Sequence, residues 1–308
     1  MNAQSPPNPL ADPASFIAMF VRRLPLYRGG GYIASRPLLK RLAAREPAVT
    51  WGKLRTGDRI HLNRTDLVGR TVFYYGDFSR EVTGIAKRVL SRGDTMLDIG
   101  ANIAETGLQC ARFVGPEGQV HAFEPNPRIA NLVESSAKAN GFTNFTIHPI
   151  GLGDQDATLQ LHIPAGNIGA GSLVRHGDDT AIDHVSVAVR PYSAFARENN
   201  IPTPRFVKID VEGFEAPMIA GARDLWATQP PAVIIYEVNH TDDTLESHEA
   251  TTSLRELGYG LYRIIRRWGP PKAERITDLT VSATAHGNDL LAIHQDADPK
   301  SILAKINR

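Results

Sequence analysis

Cysteine is almost absent from this chain: Cys110 is the single one in 308 residues. One thiol excludes an intramolecular disulfide framework and any cysteine-rich zinc site, and it fits a reducing compartment. No apolar run reaches the roughly 18 residues that a membrane span needs. There is no charge surplus either. The 34 Lys+Arg against 33 Asp+Glu leave a net charge of +1, which removes any global pull toward nucleic acid. What is present is ordinary globular composition, 42% hydrophobic and 22% charged, in a chain long enough to bury a core without staples. At roughly 150 residues per domain, the length predicts about two domains, or one large α/β domain with extensions.

The charge is unevenly spread. Residues 1–50 hold Arg22, Arg23, Arg28, Arg36, Lys40, Arg41 and Arg45 against only Asp12 and Glu46, so this stretch is strongly basic and the remainder mildly acidic. The opening NAQSPPNPLADPAS reads as a mobile tail. SFIAMFVRRLPLY follows, with its arginines after the apolar run, which is the wrong order for a signal peptide. It reads as a basic amphipathic helix, either on a membrane surface or packed on its own domain. The second is the expectation.

From Trp51 onward, Arg59–Leu62 and Thr71–Tyr75 read as β-prone runs, and Ser79–Ser91 as a helix with Ser79 as its cap. Strands and helices then alternate. TMLDIG, QVHAFEP, FTIHPIGL, RFVKIDVEG, AVIIYEV, GLYRIIR and DLLAIH read as strands. Helices are expected from Ala104 to Phe113, Pro127 to Asn140, Glu215 to Trp226 and Thr251 to Leu257. Apolar runs separated by amphipathic helices imply parallel strands buried on both faces. ATLQLHIP and HVSVAVRP, on either side of the loop GNIGAGS, break the rhythm and read as an antiparallel insertion.

The sharpest motif is LDIGANIAETG, a strand running into Asp98, then a turn at Gly100-Ala101-Asn102, then a helix. It matches neither G-x-G-x-x-G nor a P-loop, so nothing there is arranged to cradle a pyrophosphate, which speaks against NAD and ATP. Gly100 is expected to let the backbone approach a ligand. The next strand ends in FEPN, and its Glu124 can accept from two ribose hydroxyls. The third ends at Gly151-Leu152-Gly153-Asp154, where small residues leave room for a flat base and Asp154 could accept from an exocyclic amine. Three successive strand ends thus outline a nucleoside pocket without a phosphate site, which is the outline of S-adenosylmethionine.

LDIGANI, AFEPNP, GLGD, the GAGSL loop, VKIDVEGFE with the following GAR, and IIYEV together resemble the FkbM family of S-adenosylmethionine-dependent methyltransferases. VGRTVFYYGDF before them and NDLLAIH after them also fit, so the resemblance covers roughly residues 55–295. It implies a class I methyltransferase (Rossmann-like) α/β fold: a mostly parallel seven-stranded sheet, here with an antiparallel insertion and a helical N-terminal extension. It also implies O-methylation, often of sugars or other hydroxylated metabolites. The chain departs from the family at Ala104, where a Gly is usual, and at Glu105, where a bulkier aliphatic or aromatic residue is usual. Ser79 stands near a frequent Glu. A methyl group at Ala104 is expected to cost little in a helix. Glu105 could repel an anionic substrate, bind a basic one, or face solvent.

Lys208, Asp210 and Glu212 alternate along VKIDVEG, which on an extended strand places all three on one face. Asp210 is expected near the sulfonium and methyl group. Methyl transfer to an alcohol needs alignment and a base acting in concert, because an aliphatic hydroxyl is a very weak acid. Glu237 and His240, in YEVNH, are the candidates on the acceptor side. Asp210, Glu212, Glu237 and His240 could also hold Mg²⁺ or Mn²⁺, but the metal-free reading is preferred. Gly166–Ser172 reads as a mobile loop able to close over the site. Trp268 and Tyr262 are candidates either for stacking on a sugar or for the core, and Cys110 is expected to pack.

These readings assign S-adenosylmethionine binding to Asp98, Gly100, Ala101, Asn102, Glu124, Pro125, Asn126, Asp154, Ser172 and Asp210, and catalysis to Asp210, Glu237 and His240. The expected divisions are an N-terminal extension (1–50), a lead-in (51–92), the methyltransferase domain (93–296) and a C-terminal tail (297–308). The expected product is S-adenosylhomocysteine. The expected acceptor is a hydroxyl of a sugar, glycan or glycosylated metabolite, in a cytoplasmic enzyme with no nucleic-acid partner and at most a weak membrane contact. A catalytically altered cofactor-binding protein, or a methyltransferase of nucleic acid or protein, is the alternative.

Overall fold

A computed structural model describes residues 13–24, 30–44, 47–164, 171–173, 181–238, 243–265 and 269–308. The strands, in chain order, are β1 (Val49–Lys53), β2 (Arg59–Asn63), β3 (Thr95–Ile99), β4 (Gln119–Phe123), β5 (Phe145–His148), β6 (Gly151–Gly153), β7 (Ala157–Pro164), β8 (Ala181–Pro191), β9 (Phe206–Ile209), β10 (Val233–Glu237), β11 (Tyr259–Ile265), β12 (Lys272–Arg275) and β13 (Asp289–His294).

The main sheet has the order β12-β11-β13-β10-β9-β3-β4-β5. The run from β10 to β5 is parallel, and β13 enters antiparallel between β10 and β11. This is the expected mostly parallel α/β sheet. Its seven expected strands are joined by an eighth, β12, which pairs antiparallel with β11. The chain order reverses between β3 and β9, the switch point where open α/β sheets bind ligands beyond their carboxyl ends.

Period-two alternation splits the core into two layers. Met96 and Phe206 point to one face and join a cluster with Val82, Leu108, Ile129 and Ile302. Leu97, Val207 and Ile209 point to the other and pack with Met218, Trp226 and Leu254. Ala14, Ala18, Ala34, Leu39 and Ala43 of the N-terminal helices share the first cluster, so this extension packs on its own domain.

Three local expectations are corrected. Thr71–Tyr75 belongs to the helix Leu67–Tyr75, capped by the Asp66 carboxylate, which accepts from Gly69 N. Its β-branched and aromatic residues are buried nearly all round, so tertiary packing overrides strand propensity. β2 pairs instead with β1. FTIHPIGL is two strands in two sheets, because β6 pairs parallel with β8. The 297–308 tail contains a helix, Pro299–Ile306, started by the Asp298 side chain and buried through Ile302 and Ile306. The insertion behaves as expected, with β7 and β8 antiparallel along their length.

Candidate active site

The carboxyl ends of β3, β4 and β9 meet at one cavity. Gly100, Ala101, Asn102, Glu124, Pro125, Asp210 and Glu237 all line it, as do Glu212 and Lys208. Its apolar wall includes Phe123, Ile150, Leu161 and Phe214.

The turn after β3 is tightly wound. Gly100, Asn102 and Ala104 have φ of 70°, 50° and 54°. Its amide groups are already engaged: Gly100 N and Ala101 N both donate to Phe123 O at 3.0 Å, and Ile103 N donates to Asn102 Oδ1 at 2.7 Å. That leaves no nest of free N–H groups for a phosphate, in line with the motif. Gly100 lines the cavity and also meets a packing constraint. A Cβ there would lie 1.8 Å from Asp210 O, so the missing side chain lets β3 and β9 close on each other. The expectation for Ala104 is corrected. It precedes the helix Glu105–Val114 in the left-handed region, where its methyl group is strained.

Glu124 is the best-defined acceptor of the cavity. Its Oε2 accepts from Asn102 N and its Oε1 from Asn126 N, each at 2.8 Å. Burial raises its carboxyl to about 7, against the two N–H groups that favour the anion. Each oxygen keeps a further lone pair for a hydroxyl donor. Asn126 itself is buried and caps the helix Pro127–Ala139 through Arg128 N at 3.0 Å. Its role is to orient Glu124.

Asp98 is fully buried below the turn. Its Oδ2 accepts from Gly107 N at 2.8 Å, and Lys208 Nζ lies 3.7 Å from its Oδ1. Burial raises Asp98, partly offset by Lys208. Lys208 Nζ also reaches Asp210 Oδ2 at 3.0 Å and Gly100 O at 3.4 Å. Burial alone would lower the lysine, but Asp210 and Asp98 outweigh it and hold the ammonium above its ordinary range.

β9 ends at Ile209, so Glu212 is not the third member of an alternating strand face. The chain instead turns through Glu212 and Gly213, with φ of 52° and 93°. Glu215 shapes this turn, its Oε1 accepting from Val211 N at 3.1 Å and Gly213 N at 3.3 Å. Carboxylate oxygens of Asp210, Glu212 and Glu237 still converge within 4.8 Å of one another. Burial, then Asp210, then Glu212 and Asp289 raise Glu237 to about 9.

Other expectations shift. Asp154 is exposed and outside the cavity lining, although Gly151 and Leu152 just before it in β6 do line the cavity. Ser172 donates to Glu212 O at 3.0 Å and pairs with His162, so it ties the insertion to the turn, while Gly171 and Leu173 line the cavity. Glu105 is buried and lines the cavity instead of facing bulk solvent. It accepts from Ser79 N at 3.1 Å and Gln109 Nε2 at 3.1 Å, beside Asp77. Tyr262 and Cys110 are core residues. His240, Trp268 and 166–170 of the expected loop lie outside the described residues. Leu67, Val68 and Phe78 also line the cavity. Val68 and Phe78 are the two ends of the VGRTVFYYGDF segment, and Leu67 immediately precedes it.

A sequence model of the Methyltransferase FkbM domain matches residues 98–261, more than half of the chain. The chain belongs to the FkbM methyltransferase family. As an FkbM-family chain it is 27% identical over 149 residues to the hexuronic acid methyltransferase AglP of Haloferax volcanii, covering 47% of this chain and 56% of that one. It is 36% identical over 58 residues to a protein-L-isoaspartate O-methyltransferase of Ignicoccus hospitalis, covering 19% and 28%. It therefore spans about half or less of the length of these curated relatives. Among solved structures, a methyltransferase FkbM from Methylobacillus flagellatus is 16% identical, with a TM-score of 0.39, over 65% of this chain and 43% of that one. A SAM-dependent O-methyltransferase from Thermotoga maritima is 14% identical, with a TM-score of 0.39, over 81% and 94%. Among the described residues, no helix is long and apolar enough to cross a membrane.

Proposed function

We propose that this FkbM-family chain transfers a methyl group from S-adenosylmethionine to a hydroxyl of a sugar, glycan or glycosylated metabolite. The observation that carries the reading is one cavity with two unlike ends. Glu124 offers two oriented acceptor oxygens at one end, and Asp210, Glu212 and Glu237 gather negative charge at the other. Ribose hydroxyls suit the first end, and a cation suits the second. The donor set therefore fits the cofactor. The sugar class draws support from the relative named as a hexuronic acid methyltransferase.

When bound, the cofactor supplies an electrophilic methyl group on a sulfonium centre. The chain's own residues do the rest. Glu124 holds the ribose, and the apolar wall at Phe123 and Ile150 excludes water from the base. Lys208 fixes the Asp210 carboxylate where it faces the cation. Glu237 retains a proton in the unliganded cluster because burial disfavours its anion and ionisation would set a further anion beside Asp210 and Glu212. A cation against the cluster removes that penalty and leaves Glu237 as a carboxylate able to take the acceptor hydroxyl's proton. The bond formed is acceptor oxygen to methyl carbon; the bond broken is methyl carbon to sulfur.

Calorimetric titration with S-adenosylhomocysteine tests the pocket. One-to-one binding is expected, weakened by about 1–3 kcal/mol in Glu124→Ala, where the ribose hydroxyls lose their acceptors. Unchanged affinity in that variant rejects the ribose assignment. Transfer of labelled methyl to hexuronic-acid-containing glycans, absent with peptide acceptors, tests the substrate class.

A further inference from the structure

Nine large hydrophobic side chains are exposed among the described residues, and all nine precede residue 79. Such crowding at one end of a chain marks an interaction surface more than ordinary surface apolarity. On the helix Pro13–Val21, Ala14 and Ala18 pack inward, while Phe16, Met19 and Phe20 recur at i, i+3 and i+4 on the outward face. Phe16 and Phe20 are 45% and 52% exposed, and their rings meet edge to face at 5.0 Å. Leu24, Tyr32 and Leu38 continue the exposed apolar set through the next two short helices.

The charge on this surface has one sign. No acidic residue occurs between Asp12 and Glu46. Arg23, Arg36, Lys40 and Arg41 are exposed there, with the Arg36 guanidinium 4.6 Å from the Tyr32 ring centre. The surface is also continuous with the candidate active site. Arg22 donates to Phe73 O and joins the first helix to Leu67–Tyr75. Leu67, at the start of that helix, and Phe78 just beyond it are both exposed and both line the cavity.

We propose that residues 13–24 and 30–44 seat the chain on an anionic lipid surface, with Phe16 and Phe20 entering the headgroup boundary and Arg23, Arg36, Lys40 and Arg41 facing lipid phosphates. Apolar anchors with basic neighbours are the combination that binds such an interface. A second copy of the chain fits less well, because an isologous contact sets this acid-free surface against itself. Leu67 and Phe78 then place the cavity mouth beside the membrane, where an acceptor carried on a lipid is within reach. The surface binding does not depend on methyl transfer.

Flotation of the full chain with phosphatidylcholine vesicles, with and without phosphatidylglycerol, is the test. Binding to the anionic vesicles alone, with release at high salt, is expected. Phe16→Ser/Phe20→Ser and Arg36→Gln/Lys40→Gln/Arg41→Gln should each reduce it, the second by about a hundredfold at roughly a tenfold loss for every one to two charges removed. Unchanged melting and unchanged S-adenosylhomocysteine affinity show that the variants are folded and keep the two readings separate. Three results overturn the proposal. One is failure to float with anionic vesicles. Another is flotation of the Phe16/Phe20 variant at the wild-type level. The third is a wild-type dimer in sedimentation that this variant dissolves, which assigns the face to a second copy.

Discussion

Gly100 and Asp210 meet where β3 and β9 end: Asp210 N donates to Ile99 O at 3.1 Å, and a Cβ on residue 100 would lie 1.8 Å from Asp210 O. The fold here leaves no room for a methyl group, and the φ of 70° disfavours one independently. Gly100→Ala should cost about 3 kcal/mol, the left-handed penalty plus overpacking. It should also weaken S-adenosylhomocysteine binding by displacing Asp210. Urea unfolding with a wild-type midpoint would show that the two strands part freely.

Lys208 bridges two carboxylates of different exposure, Asp98 at 0% and Asp210 at 36%. Lys208→Met strands the buried one. A loss of about 3–5 kcal/mol is expected, the usual cost of breaking a buried pair from one side. Asp98→Asn combined with Lys208→Met should recover part of it in a double-mutant cycle. Strict additivity would mean that the two groups are not coupled.

Ala104 is a non-glycine residue held at φ 54° with its side chain fully buried. Ala104→Gly relieves the left-handed strain but adds freedom to the unfolded chain. The balance should favour the variant by about 0.5–1 kcal/mol. A lower urea midpoint would show that the buried methyl group contributes more packing than it costs in strain.

Glu237 binds its proton more tightly in the folded chain, at about 9, than its ordinary 4.5. Its contribution to stability is therefore complete below about 4.5 and is lost as pH rises toward about 9. Wild-type stability should fall across that window, and Glu237→Gln should flatten the decline. At neutral pH, cofactor binding should release a proton from the wild type and none from Glu237→Gln, measured calorimetrically in buffers of different ionisation heat. Equal release from both would remove Glu237 from the acceptor side.

Much of the cavity is legible before any coordinates. Gly100, Asn102, Glu124, Asp210 and Glu237 stand at ends of apolar runs, and in an open α/β sheet those ends gather at the switch point. What each residue does there is less legible. Asp98 supports the turn from below, Asn126 orients Glu124, and Ser172 fastens the insertion to the Glu212 turn. Glu215 reads only as the start of a helix, a commonplace position for a carboxylate, yet it shapes the turn that presents Asp210 and Glu212.

Local pattern alone specifies the alternating α/β order, the antiparallel insertion and the acids at the strand ends, because period and turn chemistry act over a few residues. Contacts between distant segments decide the rest. Thr71–Tyr75 is helical because the N-terminal helices and the core enclose it. FTIHPIGL divides into two strands because β6 finds its partner in β8, far along the chain. Glu237 keeps its proton because folding buries it and sets Asp210 and Glu212 beside it, and no local pattern brings acids from the ends of two different strands together.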